Sequence, residues 1–239
     1  MQIVAHRGAT EYTPANTIPA FHRALNLGAD AIECDVRLTR DQVPVLAHFF
    51  AIDDLRGGSG PVFSYDHADI RSDDPAHAPT LYEMLETFAG RIGLEIEIKG
   101  PEPESAAIVV AALLPYQRLW ESIEVTSYEP ILLREVQTRC PGLATDLLAP
   151  RSEPWMTPDI VRHLAIHRAR LAHARAIHLH PTQLLPETIA AIRAAGIAVH
   201  TWDVNDVQAL DTVTELRIPR ICTDRLEDAL NYRQRHAFP

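Results

Sequence analysis

Short runs of apolar residues, many of them β-branched, alternate along the whole chain with longer stretches whose apolar residues recur every three or four positions. The short runs are typical of buried strands, and the longer stretches are typical of helices that bury one face. We predict strands over Gln2–Ala5, Ala31–Leu38, Pro44–His48, Gly93–Ile98, Ser122–Ser127, Leu143–Leu147, Ala176–Leu179, Ile197–Thr201 and Arg220–Thr223. This alternation predicts an α/β protein.

Amphipathic helices are predicted between most of these strands. Asn16–Leu27 places Ile18, Phe21 and Leu25 on one face. Gly28 follows as a residue that can end the helix in a left-handed conformation. The other predicted helices are Thr80–Phe88, Glu104–Leu114, Pro130–Arg139, Pro158–Leu171, Pro186–Ala195, Asn205–Leu216 and Leu226–Arg233. Most of them have Pro, Asn or Asp near the start, where these residues favour the first turn.

Nine strands are one more than the commonest closed barrel of alternating strands and helices contains. Only residues 39–43 separate Leu38 from Pro44, whereas parallel strands need a connection of a dozen residues or more. The third strand is therefore predicted to form an antiparallel hairpin with the second, which leaves eight βα units. Eight units fit a (β/α)8 TIM barrel, and we predict one such domain over residues 1–239. Within it, residues 49–79 are predicted to be an ordered excursion over the active end.

An open doubly wound sheet is the other arrangement that alternating strands and helices can form. Its nucleotide-binding version carries a glycine-rich fingerprint directly after an early strand. Here the first predicted strand ends in His6-Arg7-Gly8, which lacks that fingerprint, so the barrel is favoured.

Composition narrows the classes of function. The chain has 239 residues, 46% hydrophobic and 23% charged, as in an ordinary globular domain. It has no apolar run long enough to span a membrane and no secretory signal at its start, so a cytoplasmic location is expected. The net charge of −10 argues against a nucleic-acid partner, although a small phosphate ester can bind where positive charge is local. The sequence leaves the oligomeric state open.

Three widely spaced cysteines, Cys34, Cys140 and Cys222, indicate neither a disulfide framework nor a thiolate zinc site. Lysine occurs once, at Lys99, and the other 21 of the 22 Lys and Arg residues are arginine. A genome rich in G and C explains the bias toward arginine. It does not explain the exception, which predicts a position that needs a compact ammonium group.

Acidic residues gather on the inner faces of two predicted strands. Glu33 and Asp35 are two residues apart and therefore share one face. The same alternation puts Glu95, Glu97 and Lys99 together on the inner face of the fourth strand. Several carboxylates in one barrel repel one another unless a cation offsets them, and all-oxygen ligation suits Mg²⁺, Ca²⁺ or Mn²⁺ better than zinc. The alternative for Glu95 is a salt bridge with an arginine or with Lys99.

Two of the 12 histidines, His6 and His48, each end a β run and are followed at once by a loop. The carboxyl ends of barrel strands carry the active site, so these two imidazoles are expected to meet beside the acidic residues. There they can act as a general acid and a general base. Surface positions without a function are expected for His22, His67, His77, His163, His167, His173 and His236.

A series of short motifs runs in order along almost the whole chain. They are His6-Arg7-Gly8, Pro14-Ala15-Asn16-Thr17, Ala20-Phe21, Gly28-Ala29-Asp30, Glu33-Cys34-Asp35-Val36, Pro44-Val45-Leu46-Ala47-His48, Pro79-Thr80-Leu81, Glu97-Ile98-Lys99, His200-Thr201-Trp202-Asp203-Val204-Asn205 and Thr223-Asp224. In this series the chain resembles the glycerophosphodiester phosphodiesterase family. The resemblance implies metal-dependent hydrolysis of glycerophosphodiesters to glycerol 3-phosphate and an alcohol, at Mg²⁺ or Ca²⁺, with Mn²⁺ possible.

The resemblance also implies roles for particular residues. They are His6 and His48 as the acid–base pair, Glu33, Asp35 and Glu97 as metal ligands, Arg7 and Lys99 as phosphate-binding residues, and Trp202 as an apolar wall for the glycerol. Either histidine can be the acid, and His48 is favoured because it lies beside the excursion. The attacking group, water or the substrate's own hydroxyl, stays open, as does the head group.

Three positions depart from the family pattern: Ala15, Phe49 and Arg56-Gly57-Gly58. They leave the implied ligands intact, but they predict altered hydrogen bonds around the two histidines and an altered substrate mouth. Two alternative functions stay open. One is a lysophospholipid phosphodiesterase on the same barrel, for which Phe49, Phe50 and Phe63 supply apolar surface. The other is a catalytically inactive barrel used for binding.

Overall fold

A closed barrel of eight parallel strands forms the centre of the protein, in a computed structural model that describes residues 1–51, 60–71, 78–100 and 102–236. The strands are β1 (Gln2–Ala5), β2 (Ala31–Leu38), β3 (Pro44–Leu46), β4 (Gly93–Ile98), β5 (Ile123–Ser127), β6 (Ala144–Leu148), β7 (Ala176–Leu179), β8 (Ala198–Thr201) and β9 (Arg220–Thr223). Their order is β1-β9-β8-β7-β6-β5-β4-β2, and β1 pairs with β2 to close the ring. The predicted (β/α)8 TIM barrel is confirmed.

The hairpin predicted for the third strand is present. β3 pairs antiparallel with β2 outside the ring, with Val36 opposite Leu46. It ends at Leu46 rather than at the predicted His48. The N–H of Ala47 still donates to the carbonyl of Asp35 at 3.0 Å, and the chain then turns away into the loop that carries His48.

Helices surround the barrel and follow the predicted positions, with ends that differ by at most two residues. They are α1 (Ile18–Leu27), α2 (His67–Ile70), α3 (Leu81–Phe88), α4 (Ser105–Leu113), α5 (Pro130–Arg139), α6 (Pro158–Ala172), α7 (Pro186–Ala194), α8 (Val207–Glu215) and α9 (Leu226–Arg235). The differences arise at caps, because Thr17 and Thr80 accept hydrogen bonds from the first turns of α1 and α3. Gly28 ends α1 with a φ of 89°, as predicted. The four-residue α2 was not predicted.

The alternation along β2 separates the barrel interior from the apolar layer under the helices. Cys34 lies with its Sγ 3.3 Å from the Sδ of Met84 on α3, so it faces the helices. Glu33 and Asp35, on the opposite face of the strand, point into the barrel with only 3% and 0% of their surface exposed. The strand therefore carries two buried carboxylates into the interior, as its sequence predicts.

The described part of the predicted excursion packs against the hairpin. A three-ten turn over Val62–Ser64 and the short α2 bury Val62 and Ile70 in a small apolar cluster with Val45. Outside the described residues lie 52–59 and 72–77, and with them Arg56-Gly57-Gly58 and His77. No helix within the described ranges is long and apolar enough to cross a membrane.

Candidate active site

A cavity of about 170 Å³ lies at the carboxyl ends of the barrel strands. Its walls include seven of the eight residues implied above: His6, Arg7, Glu33, His48, Glu97, Lys99 and Trp202. The eighth, Asp35, is fully buried and in contact with Lys99. The barrel thus brings together residues that are up to 196 positions apart in the chain (His6 to Trp202).

Three buried carboxylates form an acidic trio beside this cavity. Glu33, Asp35 and Glu97 offer oxygen atoms that all lie within 4.8 Å of one another. The strand register explains the meeting, because Asp35 on β2 lies directly opposite Glu97 on β4. The Oε1 atom of Glu33 is buried and accepts no hydrogen bond from any described residue. A donor set made only of carboxylate oxygens, with one oxygen unpaired, fits a hard divalent cation.

The charge balance of the trio points the same way. Burial and the nearby Asp35 carboxylate hold the pKa of Glu33 well above its usual range. Burial and Asp35 likewise raise the pKa of Glu97 to about 8. Burial also disfavours the charged form of Asp35, but Lys99, the two histidines and the hydrogen bond from Asn16 together outweigh it and lower the pKa of that carboxyl. The described protein groups therefore neutralise only part of the trio, and a bound cation would ionise all three carboxyls.

Lys99 lies between two members of the trio. Its Nζ is 2.8 Å from Oε1 of Glu97 and 3.3 Å from Oδ1 of Asp35, with 11% of its side chain exposed. Burial lowers the pKa of Lys99, but the two carboxylates outweigh burial and raise it, so the ammonium stays charged. The only lysine of the chain is therefore an ion-pair partner of the acidic trio at the edge of the cavity.

His6 is held by a carboxylate that follows the last strand. Its Nδ1 lies 2.7 Å from Oδ1 of Asp224, and its Nε2 faces Oε2 of Glu33 at 3.9 Å. Asn205 fixes Asp224 in turn, donating to its Oδ2 at 3.0 Å and accepting from its backbone N–H at 2.8 Å. Burial opposes ionisation of Asp224, but the contacts with His6, Arg7 and Asn205 together outweigh it, and the pKa is lowered to about 2. The arrangement keeps a proton on Nδ1 and leaves Nε2 facing the cavity.

His48 has a different environment. Arg37 donates two hydrogen bonds to its backbone carbonyl, at 3.1 and 3.0 Å, and so fixes the main chain. Its Nδ1 is buried without a hydrogen-bond partner among the described residues, and the ring meets that of Phe49 edge-on at 4.5 Å. Burial, with the cations Lys99 and Arg7, lowers the pKa of His48 to about 4. The aromatic ring of Phe49, one of the departures from the family pattern, thus lies beside His48, and within the described part of the chain no carboxylate contacts Nδ1.

Arg7 turns the chain into the site. Its φ of 56° lies in the left-handed region that side-chain-bearing residues rarely adopt. In this conformation its backbone N–H donates to Oε2 of Glu33 at 2.9 Å, and its guanidinium lies 3.6 Å from Asp224. Gly8 completes the turn, because a Cβ there would lie 2.7 Å from that of Ala20. These contacts explain physically why an Arg-Gly pair follows the first histidine.

Trp202 forms one wall of the cavity. Its Nε1 donates to the carbonyl of Ala149 at 3.0 Å, and Tyr128 meets its ring edge-on with centroids 6.4 Å apart. The indole is therefore fixed in orientation and partly exposed beside the site. This position suits an apolar wall, the role that the resemblance implies.

Comparison with known proteins shows the family to which the chain belongs. The model of the Glycerophosphoryl diester phosphodiesterase family matches residues 6–228, which is most of the chain. The chain belongs to this family. The resemblance stated from the motifs is confirmed, and with it the prediction that the chain is a glycerophosphodiester phosphodiesterase.

Individual family members match along the whole barrel. A glycerophosphodiester phosphodiesterase of Caldanaerobacter subterraneus is 29% identical over 245 residues, and the match covers 96% of this chain and 96% of the relative. The crystal structure of one from Agrobacterium tumefaciens matches with a TM-score of 0.74 at 28% identity, covering 95% of this chain and 97% of its own. An Oleispira antarctica phosphodiesterase, solved with its product sn-glycerol-3-phosphate, shares the fold at 21% identity, with a TM-score of 0.83 and coverages of 98% and 97%.

Three residues to which the sequence analysis assigned no role support the site through hydrogen bonds. Asn16 donates from Nδ2 to Oδ2 of Asp35 at 2.8 Å, and its Oδ1 accepts from the backbone N–H of Asp35 at 3.1 Å. Asp224, which follows β9, bonds to His6, which follows β1, and Asn205 bonds to Asp224. All three belong to motifs that were recognised, so their presence was visible in the sequence. Their partners were not, because each bond joins segments that are distant in the chain.

Glu95 takes the arginine partner that was one of its two predicted alternatives. Its Oε2 accepts from Nε and Nη2 of Arg220 at 3.2 and 3.1 Å. Only Glu97 of the two β4 carboxylates is close enough to Glu33 and Asp35 to join the acidic trio. The structure thus separates two glutamates that the sequence pattern placed together.

Proposed function

We propose that the protein hydrolyses glycerophosphodiesters to glycerol 3-phosphate and an alcohol, with a divalent cation bound by Glu33, Asp35 and Glu97. Family membership supplies the class of reaction. The observation that carries the finer proposal is the acidic trio, buried and under-neutralised, beside two histidines in one cavity. When bound, the cation (Mg²⁺, Ca²⁺ or Mn²⁺) would offset the negative charge that develops on a non-bridging phosphate oxygen.

Arg7 and Lys99 would bind the phosphate group. Both side chains border the cavity, and both already approach carboxylates, Arg7 at Asp224 and Lys99 at Glu97. A phosphate oxygen can share such donors, because each group carries several N–H bonds. Their second task is to hold Asp224 and Glu97 in place before the substrate arrives.

We assign His6 as the general acid and His48 as the general base, the reverse of the assignment favoured from sequence. Asp224 stabilises a protonated His6 through the 2.7 Å bond to Nδ1, so His6 can carry a proton to the leaving oxygen. No carboxylate of residues 1–51, 60–71, 78–100 or 102–236 pairs with Nδ1 of His48, and burial beside Lys99 and Arg7 favours its neutral form. A neutral imidazole can accept the proton of the attacking hydroxyl group.

The direct test is release of glycerol 3-phosphate from glycerophosphocholine and glycerophosphoethanolamine, with Mg²⁺, Ca²⁺ or Mn²⁺ added to chelator-treated protein. We expect product with at least one cation and none with chelator in excess. The variant Glu97→Gln keeps the size of the side chain and should lose the response to cation. Absence of product with every cation would favour the inactive barrel instead.

A second candidate substrate is a lysophospholipid, and one observation favours it. Phe49, Phe50 and Phe63 are 54%, 47% and 45% exposed, and Phe49 adjoins His48 at the site. An acyl chain can bury such rings. The comparison to make is turnover of lysophosphatidylcholine and glycerophosphocholine by the native protein and by Phe49→Ser with Phe63→Ser. Selective loss on the lysophospholipid would support this candidate, and equal rates would exclude a role of these rings.

A further inference from the structure

A second cluster of ligand-type side chains lies away from the mouth, on the four strands β5 to β8. All four side chains are buried, and each offers one nitrogen or oxygen atom that lies within 4.8 Å of those of the others: Glu124, Asp146, His178 and His200. Each comes from a different neighbouring strand. The acidic trio comes from β2 and β4, so the two clusters share no residue.

This cluster opens toward the amino-terminal end of the barrel. Glu124 and His200 line a depression of about 340 Å³ whose other walls include Gln2, Gly93 and Ala144, each of which begins a strand. The active-site cavity lies at the opposite end of the strands. An ion could therefore reach the cluster from solvent without passing the catalytic residues.

Three atoms of the cluster form a nearly equilateral triangle. Nε2 of His178 lies 3.1 Å from Nδ1 of His200, and Oδ2 of Asp146 lies 3.3 Å from each of them. A tetrahedral zinc ion with nitrogen and oxygen ligands at about 2.0–2.2 Å separates those ligands by about 3.3–3.6 Å. The triangle therefore has nearly the size of one face of a zinc coordination tetrahedron.

Hydrogen bonds cannot account for all three contacts. Arg175 donates to both oxygens of Asp146, from Nε at 3.2 Å and from Nη2 at 2.8 Å, which holds that carboxylate ionised. A hydrogen bond between the two imidazoles requires that one of the two nitrogens carries no proton. The lone pair of that nitrogen then faces a lone pair of the Asp146 carboxylate, which is repulsive. If both nitrogens carry protons, two donors face each other at 3.1 Å. A cation at the centre receives a lone pair from all three atoms at once.

The charged groups around the cluster do not balance, and the excess is negative. Three carboxylates, Glu95, Glu124 and Asp146, face two guanidinium groups, Arg175 and Arg220, so one negative charge remains when the histidines are neutral. Oε1 of Glu124 is buried and accepts no aligned hydrogen bond from the residues that the structure describes, although Nη2 of Arg220 lies 2.9 Å away. This oxygen is available as a fourth ligand.

Glu95 lies behind one of the histidines. Its Oε1 is 3.6 Å from Nδ1 of His178, the ring nitrogen that does not face the triangle. Metal-binding histidines usually direct their second nitrogen toward a carboxylate, which fixes the tautomer that leaves the other nitrogen free to bind the ion. Glu95, the inward glutamate that does not join the acidic trio, has this position.

We propose that His178, His200, Asp146 and Glu124 bind a zinc-type transition-metal ion at the base of the barrel. Two imidazoles and two carboxylates in a tetrahedral arrangement suit Zn²⁺ or Co²⁺, whereas Mg²⁺ and Ca²⁺ prefer six or more oxygen ligands. The ion would join four adjacent strands at the end opposite the active site. Its role is therefore to stabilise the barrel, and the reaction does not pass through it.

The experiment is cobalt and zinc binding to the metal-stripped full chain. Tetrahedral Co²⁺ absorbs visible light much more strongly than the six-coordinate Co²⁺ expected at the acidic trio, so the spectrum distinguishes the two sites. We expect one equivalent of strongly absorbing Co²⁺, displaced by one equivalent of Zn²⁺, and a higher unfolding temperature with zinc. Glu97→Gln should retain this equivalent, and His178→Gln and His200→Gln should each lose it. Glu95→Gln should weaken zinc binding by about 10–100-fold.

Two results would overturn the proposal. One is native protein that shows only weak cobalt absorption and no zinc-dependent rise in unfolding temperature, which would mean that protons alone fill the cluster. The other is a strongly absorbing cobalt site that survives in both histidine variants. The measurements on the native chain decide the matter even if a histidine variant does not fold. Glycerophosphodiester turnover is not a readout, so failure of the proposed function leaves this test unaffected.

Discussion

Replacing Asp224 by Asn tests the assignment of His6 as the acid. The substitution keeps the shape of the side chain but removes the charge that lies 2.7 Å from Nδ1 of His6. A protonated His6 would lose its stabilising partner, and proton delivery to the leaving alkoxide would slow. The acid–base assignment predicts that this defect depends on the leaving group.

The size of the effect follows from the bond. A hydrogen bond to a charged group contributes about 1.5–3 kcal/mol, which corresponds to roughly 10–150-fold in rate. We expect a loss of this size in kcat with glycerophosphocholine, whose alkoxide leaving group needs a proton. The 4-nitrophenyl ester of glycerol phosphate releases a much weaker base that leaves without protonation. With that ester, we expect Asp224→Asn to lose less than about threefold, because no proton transfer to the leaving group remains to be slowed.

The assay is steady-state kinetics of both substrates at saturating cation. Asp228→Asn is a matched control, because Asp228 is an exposed carboxylate that pairs with Arg225 on the surface. His6→Ala should repeat the pattern of Asp224→Asn with a larger loss, about 10²–10⁴-fold on the choline ester. His48→Ala should lose activity on both esters, since the attacking group must be deprotonated in either case.

The pattern of rates can refute this reasoning directly. Equal losses on both esters in Asp224→Asn would mean that Asp224 acts only by positioning Arg7 or the substrate. Recovery of His48→Ala, rather than of His6→Ala, on the nitrophenyl ester would restore the reverse assignment.

Three further predictions concern the charges of the two ends of the barrel. Lys99→Arg should fold normally but lose at least about tenfold in kcat/KM, roughly 1.4 kcal/mol, because a planar guanidinium does not fit between Glu97 and Asp35. The control is the exposed change Arg134→Lys, which should match the native protein. If both variants have native kinetics, Lys99 has no role in the site. Chelation should abolish turnover and Mg²⁺ or Ca²⁺ should restore it, so full activity in metal-free protein by elemental analysis would contradict the cation. Arg220→Ala should lower the free energy of unfolding, measured in urea, by about 3–5 kcal/mol, because Glu95 and Glu124 would stay buried without their partner. If the loss is no larger than that of the exposed control Arg134→Ala, the ion pairs of Arg220 are solvated.

The barrel could be predicted because its signals are local. A five-residue gap between β2 and β3 forces the hairpin, and the period of two along β2 separates Glu33 and Asp35 from Cys34. The same period placed Glu33, Asp35, Glu95 and Glu97 in the barrel interior, and the family resemblance then implied Glu97, rather than Glu95, as the third member of the acidic trio. What these predictions share is that they need only neighbouring residues and one strand pairing.

The partners of the histidines could not be predicted, because they depend on how the ring closes. Asp224 reaches His6 only because β9 pairs with β1, across 218 positions of sequence. His178 and His200 stand opposite each other only in the register of β7 and β8, and each looks like an ordinary strand histidine by itself. Sequence motifs marked Asp224 and His200 without saying what they touch.

The position of the charges along β4 explains why Lys99 pairs with Glu97 at the mouth of the barrel, whereas Arg220 pairs with Glu95 at its base. Glu95 and Glu97 are about 7 Å apart on one face, so a single cation cannot neutralise both. At the base, Arg220 serves Glu95 and Glu124 together, and a wide guanidinium fits because it spans two strands. At the mouth, the proposed function requires Glu97 and Asp35 to leave their remaining oxygens for a cation and to face a phosphate, and there a compact ammonium occupies the least space. The exception to the arginine bias thus stands where a guanidinium would compete with the proposed cation and with the phosphate group of the substrate.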